Sequence, residues 1–528
     1  MTGLSVIALG SMKKYFIVLA ALLLSGCAVD LSPQGAFQKD RPRIVVTTDP
    51  ELDDLNSLVR FLLYSTDFQI EGLVYASSQF HWKGDGEGTL WFVEGREYTR
   101  FGLDFGPMSS WRWPEGPSHI EQVIEAYKAV YPNLAVHAPG YPSPDYLKSV
   151  YRVGNIEFDG DFATDTPGSE LIKSLILDDI PGPLYITAWG GQSTIARALF
   201  SIQLEYENTP AWAEIRNKVV NKVILLVSGD QDDTEAKYIR PQWPELYPAG
   251  VIRGGMALSY GAQSRASSEN ASYYTPQWMQ ENISSKGPLG EIYRVWGDGK
   301  GMVEDDIFDY FGLSGYTDQE LREMGYIVWT PVQEKGSWLG EGDTFTFLNL
   351  LNFGLRVRDD VGYGGVGGFR RQPAVDDPVP GFLGDGVSTG QESSGTAYPD
   401  FFQVVQNDFA TRLNWSVTPR FTDANHEPHV GNVGPLDITA KPGEAVLLSG
   451  IASDPDGDQV SMRWWQYQAV DSYDGEVVIS RPDSALTTVV VPVDAKPGQT
   501  IHMVFEATDN AALPLTRYKR VIITIAGS

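Results

Sequence analysis

The spacing of apolar and polar positions divides the chain into two textures. In the first, short apolar runs alternate with stretches of helical period. Ile44-Val45-Val46 is β-branched throughout, as expected of a strand buried on both faces of a parallel sheet. Beyond Asp54 the period changes: Leu55, Leu58, Val59, Leu62 and Leu63 recur at the i, i+3, i+4, i+7, i+8 spacing of an amphipathic helix. Ile70 to Tyr75, Leu184 to Ala188 and Lys222 to Val227 read as further strands, with helical patterns at Glu170 to Leu177 and Ser193 to Phe200 between them. This alternation predicts an α/β domain over 41–425, a mainly parallel sheet covered by helices.

The second texture begins near Asn425. Ala445 to Leu448, Val460 to Tyr467, Val489 to Val493 and Tyr518 to Ile525 alternate apolar and polar residues between turn signals, which predicts an all-β, immunoglobulin-like or PKD-type sandwich over 430–528. In the strand from Val460, Met462 and Trp464 fall on one face, and Arg463, Trp465 and Tyr467 on the other. If the first face is core, Trp465 and Tyr467 seal the joint with the large domain or form a patch that stacks on sugar rings; sealing is the favoured role. Asp454-Pro455-Asp456-Gly457-Asp458 reads as a turn rather than a calcium loop, because a full calcium shell takes six or more oxygens.

Composition narrows the partners. At 528 residues, with 42% hydrophobic and 12% aromatic residues, the chain has the makings of two or three globular domains. A formal charge of −28 repels nucleic acid and acidic polysaccharide and tolerates cations and neutral sugars. The N-terminus supplies an address. Lys13-Lys14, an apolar run from Phe16 to Leu24 and Leu24-Ser25-Gly26-Cys27 form an export signal whose end resembles the lipobox of bacterial lipoproteins. That implies a start at Met12, a signal peptide to residue 26, cleavage before Cys27, and lipidation of the single cysteine. A polar tether to residue 40 follows, and Ala28 after the cysteine is compatible with sorting to a bacterial outer membrane or cell surface. With Cys27 acylated, no thiol remains for metal binding or catalysis.

Asp49, Asp53 and Asp54 lie between the carboxyl end of the first strand and the first turn of the following helix, which is where open α/β sheets bind ligands. One carboxylate caps a helix; three point to a cation. An all-oxygen donor set on an exported protein suits Ca²⁺ better than zinc or iron. A fourth carboxylate is expected from another loop, and Asp343, just before the apolar run Phe345 to Leu351, is the best candidate. Asp230, Asp232 and Asp233 follow the strand ending at Val227 and either contact substrate hydroxyls or form a solvated loop.

Asp49-Pro50-Glu51-Leu52-Asp53-Asp54 resembles the Asp-x-Asp-Pro-Gly-x-Asp-Asp signature of calcium-dependent nucleoside hydrolases. Asp165 to Glu170, Trp189 to Thr194, Gly287 to Gly290, Glu341 to Thr344 and Gly364 to Gly368 are similar, in order, to segments of exported nucleoside hydrolase-like proteins described as cellulose-binding. The resemblance implies that Asp49 binds Ca²⁺ and acts as base on a metal-bound water, that Asp54 and Asp343 complete the carboxylate shell, and that Asp53 holds sugar hydroxyls. It also implies a main-chain ligand at the Thr187 to Trp189 strand end, taken as Thr187; Glu341 is placed beside the substrate, and so is Asp230 by its position past a strand's carboxyl end. Trp189 is either the pocket wall that stacks on a sugar or a buried core indole. Two departures stand out: Glu51 replaces the signature glycine, and Gly342 stands where nucleoside hydrolases place a histidine near the leaving base, with no histidine nearby in sequence to replace it. The expected activity is hydrolysis of an N- or O-glycosidic bond of a small sugar or oligosaccharide; the alternative is a non-catalytic surface lipoprotein that binds cellulose or another neutral carbohydrate.

Overall fold

The computed structural model describes residues 41–246, 251–253, 258–371 and 399–527. The signal peptide, Cys27 and the tether lie outside the described residues.

Five strands form one parallel sheet: β1 (Arg43–Thr48), β2 (Gln69–Tyr75), β3 (Tyr151–Val153), β4 (Leu184–Ala188) and β5 (Val223–Val227), in the spatial order 3-2-1-4-5. The strands read as continuous apolar runs because both faces are covered, yet the two-residue period still sorts their side chains. Ile44, Val46, Leu73 and Tyr185 enter one core with α1 (Leu52–Leu63) and α2 (His119–His137). Val45, Val74, Leu184 and Ile186 enter a second core with α4 (Pro167–Leu177) and α5 (Ser193–Tyr206), α3 being Pro144–Val150. The chain runs outward from β1 through β2 to β3, then returns to β4 on the other side of β1. The strand order therefore reverses between β1 and β4, and the crevice above their carboxyl ends is the binding position of such sheets.

After α6 (Trp212–Lys222) and β5, a long segment of short helices and loops leads to a small hairpin of β6 (Val251–Arg253) and β7 (Phe369–Arg371), and then to α7 (Phe402–Trp415). The sandwich follows. Strands β8 (His429–Asn432), β10 (Ala445–Ser453) and β12 (Leu486–Val490) form one sheet; β9 (Asp437–Ala440), β11 (Ser461–Gln466), β13 (Thr500–Thr508) and β14 (Thr516–Ile525) form the other. Trp464 and Met462 point into the sandwich core beside Phe505, while Tyr467 and Trp465 pack against Phe401 and Tyr518 where the sandwich meets the large domain. They seal the joint.

Ions lock the same joint. Asp408 of α7 pairs with Arg412 one turn along at 2.8 Å and with Arg517 of β14 at 2.7 Å, and Arg517 also lies 3.5 Å from Glu427. The glycine run after Tyr363 belongs here too: Arg520 donates to the carbonyls of Tyr363 and Gly364, and Gly365 and Gly368 close a tight turn. The run is a packing turn. The Asp454 turn is likewise structural, since Asp454 accepts from the amides of Asp456 and Asp458, and Asp456 accepts from the His426 amide at 2.7 Å. Among the described residues no helix is long and apolar enough to cross a membrane.

Candidate metal centre

The crevice above β1 and β4 holds the aspartates. Asp49 is the first residue past β1, and the chain turns tightly there, with the Glu51 amide donating to the Asp49 carbonyl at 2.8 Å. Helix α1 then starts at Leu52. Glu51 is its N-cap residue, in extended backbone, and no side chain caps the helix. Neither Asp53 nor Asp54 is spent on capping, and both carboxylates are free for the pocket.

Helical spacing explains how Asp343 is brought in from 289 residues beyond Asp54. Asp53, Asn56 and Arg60 share one face of α1 at i, i+3, i+7. Asn56 donates from Nδ2 to the carbonyl of Gly340 at 2.9 Å, and Arg60 is ion-paired with Glu341 at 2.5 Å, both side chains fully buried. The Gly342 amide donates to Asp53 Oδ2 at 3.0 Å. Three anchors thus hold the segment against α1, and Asp343 lies beside Asp53 and Asp54, each offering an oxygen within 4.8 Å of the others. Asp49, Glu51 and Asp54 form a second triad by the same measure.

In Asp49, Asp53 and Asp54 one carboxylate oxygen is held in place and the other is free. Ser78 donates to Asp49 Oδ2 and Thr48 to Asp54 Oδ1, each at 2.5 Å, and the Asp49 amide donates to Asp54 Oδ1 at 3.2 Å. Asp49 Oδ1, Asp53 Oδ1 and Asp54 Oδ2 are buried with no hydrogen-bond partner. Burial pushes these acids upward, joined by neighbouring carboxylates at all but Asp53: Asp49 to about 7, Asp53 to about 6, and Glu51, Asp54 and Asp343 well above the usual range. For Asp53, hydrogen bonds from Tyr260 and the Gly342 amide work against the rise. Arg112, the cation bearing on Asp49 and Glu51, is itself paired with Glu97 and Asp306. A pocket of clustered carboxylates with free buried oxygens fits a hard divalent cation.

Two glycines make room for these groups. A Cβ on Gly190, just past β4, lies 2.5 Å from Asp49 Oδ1, and one on Gly342 lies 2.2 Å from Asp53 Oδ2. The second contact explains the departure noted in the sequence: no side chain, histidine included, fits at 342 while Asp53 holds its position.

Two histidines approach the aspartates in space. His119, at the start of α2, lies 2.9 Å from Thr48 Oγ1 through Nε2; because Thr48 donates to Asp54, His119 must donate to Thr48, and burial drives its pKa down to about 3. His81 has Nδ1 2.6 Å from the Arg112 carbonyl and Nε2 3.8 Å from Glu51. Each comes from a loop or helix far from the aspartates in sequence, with no local pattern to announce it. Ser78, Thr48 and Tyr260, the remaining partners, carry no sequence signal either.

Other expected site residues lie elsewhere. Trp189 is fully buried, its indole donating to Thr346 Oγ1 at 2.9 Å and its ring packed on Phe61 and Phe347, so of its two readings the core indole is the one found. Glu341 is fully buried and anchors its segment: besides Arg60 it accepts from Tyr293 and Thr344. Asp230 accepts from the amides of Glu235 and Ala236 and caps the turn that follows; Asp232 accepts from the Ser193 amide at the start of α5, and Asp233 pairs with Arg96. The Thr187 carbonyl accepts from the Thr47 hydroxyl at 3.2 Å within the sheet.

Comparison with known proteins agrees with this architecture. Residues 43–369 match the family described as "Cellulose-binding Sde182, nucleoside hydrolase-like domain". The chain belongs to that family. Residues 445–525 match its companion, "Cellulose-binding protein Sde0182, C-terminal domain". A nucleoside hydrolase-related hypothetical protein from Saccharophagus degradans, described as associated with carbohydrate metabolism, superposes with a TM-score of 0.65 at 24% identity, covering 92% of this chain and 100% of its own. At that identity the likeness carries the fold. The type III effector XopQ, solved with adenosine diphosphate ribose, reaches a TM-score of 0.28 at 13% identity over 61% of this chain and 86% of its own. A PKD domain from KIAA 1837 reaches 0.14 at 21% identity over 17% of this chain and 81% of its own, and neither likeness bears on function. No curated protein matches.

Proposed function

We propose that the chain is an exported, metal-dependent glycosidase of nucleoside hydrolase type, acting on an N- or O-glycosidic bond of a neutral sugar or oligosaccharide. The observation that supports it is the meeting of Asp49, Asp53, Asp54 and Asp343 at the strand-order reversal, with three buried carboxylate oxygens unpartnered. Asp49, Asp54 and Asp343 would hold the cation, for which the all-oxygen set suits Ca²⁺. When bound, such an ion orients a water and lowers its pKa.

The chain's own groups supply the rest. Asp49, steadied by Ser78 at Oδ2, takes the proton of the attacking water on its free Oδ1. The C–O bond to water forms as the bond from the anomeric carbon to the leaving group breaks, and direct attack inverts that carbon. Asp53, fixed by Gly342 and next to Tyr260, presents Oδ1 to sugar hydroxyls. Thr48 and His119 orient Asp54 and do not touch substrate.

A second reading, glycan binding without turnover, is favoured by one observation. No acid stands at Gly342 to protonate a leaving group, and the rim instead exposes aromatic surface: Trp329 packs edge-on against Tyr260, whose hydroxyl reaches the Asp53 amide, and remains 42% exposed. Aryl glycosides, nucleosides and cello-oligosaccharides, assayed with and without EDTA beside Asp49→Ala, separate the two. Turnover abolished by chelator and by the substitution supports the enzyme; binding to insoluble cellulose without product supports the alternative; turnover indifferent to both treatments sinks the metal mechanism.

The address is part of the same proposal. Leu24-Ser25-Gly26-Cys27 supports lipid anchoring to the cell envelope, so Cys27→Ser should abolish incorporation of labelled fatty acid and release the protein from membranes. Label retained by that variant refutes the anchor.

A further inference from the structure

The five carboxylates divide into two triads that share one member, Asp54. The nucleoside hydrolase pattern employs Asp49, Asp54 and Asp343 around one ion and has glycine where this chain has Glu51. Glu51 is left without a task by that scheme, and its surroundings give it one. It occupies the N-cap position of α1, yet its carboxylate accepts no capping hydrogen bond. Its side chain is 18% exposed, the most accessible of the five acids. The other two members of its triad are fully buried, and each keeps one oxygen, Asp49 Oδ1 and Asp54 Oδ2, without a hydrogen-bond partner. Their second oxygens are pinned by Ser78 and Thr48, so the free oxygens cannot both be relieved by rotation. Once ionised, the five carboxylates exceed the charge of one divalent ion, and a second ion offsets two more.

We propose that Glu51, with Asp49 and Asp54, builds a second divalent-cation position, bridged through Asp49 and Asp54 to the position held by Asp49, Asp54 and Asp343. The proposal rests on reading the pocket as a metal centre. Carboxylate-bridged ions about 3.5–4 Å apart serve hydrolytic sites by holding the attacking and leaving oxygens together. A second ion beside Glu51 would give this chain a Lewis acid for the leaving group at a site where Gly342 offers no proton donor.

The test counts ions. The purified full chain, stripped with EDTA and equilibrated with Mn²⁺, is freed of loose metal and analysed for ions per chain, then examined by electron paramagnetic resonance. The expected result is two ions per chain with an exchange-coupled signal. Glu51→Gln, which is isosteric, should fall to one ion with an uncoupled signal, and Asp343→Asn should also fall to one. Thermal melts of the metal-free variants check that each is folded, and Glu51→Asp provides a second variant, expected to keep two ions at tenfold or more weaker affinity for one of them. A single ion in the wild type, or two coupled ions in Glu51→Gln, overturns the second position while leaving the first. No ion in the wild type overturns the metal reading itself.

Discussion

Buried acids occur in two parts of this molecule, and they behave in opposite ways. At the joint between the large domain and the sandwich, Asp408 and Glu427 face Arg412 and Arg517, two carboxylates against two guanidiniums. Burial alone would raise Asp408, but Arg517 and Arg412 outweigh it and bring its pKa down to about 2. At the mouth of the sheet, five carboxylates share a pocket with no guanidinium of their own, and burial raises Asp49 to about 7. The joint is electrically complete as folded. The pocket carries an excess of carboxylates that fits a cation, and that difference, more than any one motif, marks it as a candidate site.

Removing a charge from each place should break the comparison most visibly. Asp408→Asn leaves two buried guanidiniums facing Glu427 alone and is expected to cost about 3–5 kcal/mol of stability in denaturant titrations. Asp54→Asn removes one of several like charges while its Oδ1 can still accept from Thr48 and the Asp49 amide, so the metal-free protein should be as stable as wild type or more so. A large loss from Asp54→Asn without metal would mean the pocket is internally balanced after all.

The next effect is steric. Gly190→Ala drives a methyl to within 2.5 Å of Asp49 Oδ1. Displacing a ligand through its support typically costs about 10–100-fold in metal affinity. Calorimetric titration with Ca²⁺ should show that loss while the thermal midpoint without metal stays close to wild type.

The pH dependence sharpens the contrast further. Asp49 and Asp53 have folded pKa values of about 7 and about 6, above the roughly 3.9 of an unfolded aspartate, so their contribution to metal-free stability is full below about pH 4 and is lost as pH rises through about 7. Asp408, depressed to about 2, contributes fully above about pH 4 and loses that contribution as pH falls toward 2. Melting in EDTA should therefore weaken from pH 5 to 8, and added Ca²⁺ should remove that slope, because metal takes the carboxylates ionised. A slope unchanged by Ca²⁺ would show that these acids do not meet the ion.

What the sequence disclosed follows the reach of its signals. The first strand, α1 and the three aspartates between them are local, set by a two-residue period giving way to a helical one, and the structure has them as read. The sandwich and the sealing role of Trp465 and Tyr467 were legible for the same reason. Asp343 was picked out by its place before an apolar run and given a role by resemblance, but what brings it in was not visible: Arg60 and Asn56 anchor the segment across 280 or more residues. Trp189 and Glu341 sit within motif segments but serve packing, because an indole or a carboxylate declares its role only through the partners that enclose it. His81 and His119 stood outside every motif for the same reason.

The smallest predicted effect bears on a residue that position alone would place at the substrate. Asp230 lies past the carboxyl end of β5 and is buried, with its pKa raised to about 7 by burial and by Asp232. Both of its oxygens accept backbone amides, from Glu235 and Ala236, which is the work of a cap. Asp230→Ala should then cost about 1 kcal/mol, the usual price of a lost cap, and Asp230→Asn only a few tenths. Neither should alter Ca²⁺ affinity or glycan binding by more than twofold, whereas a residue holding a substrate hydroxyl would lose binding in both variants without the stability loss. The two variants measured together decide whether the carboxylates around this crevice form one functional group of residues, or a metal pocket beside acids that merely finish turns.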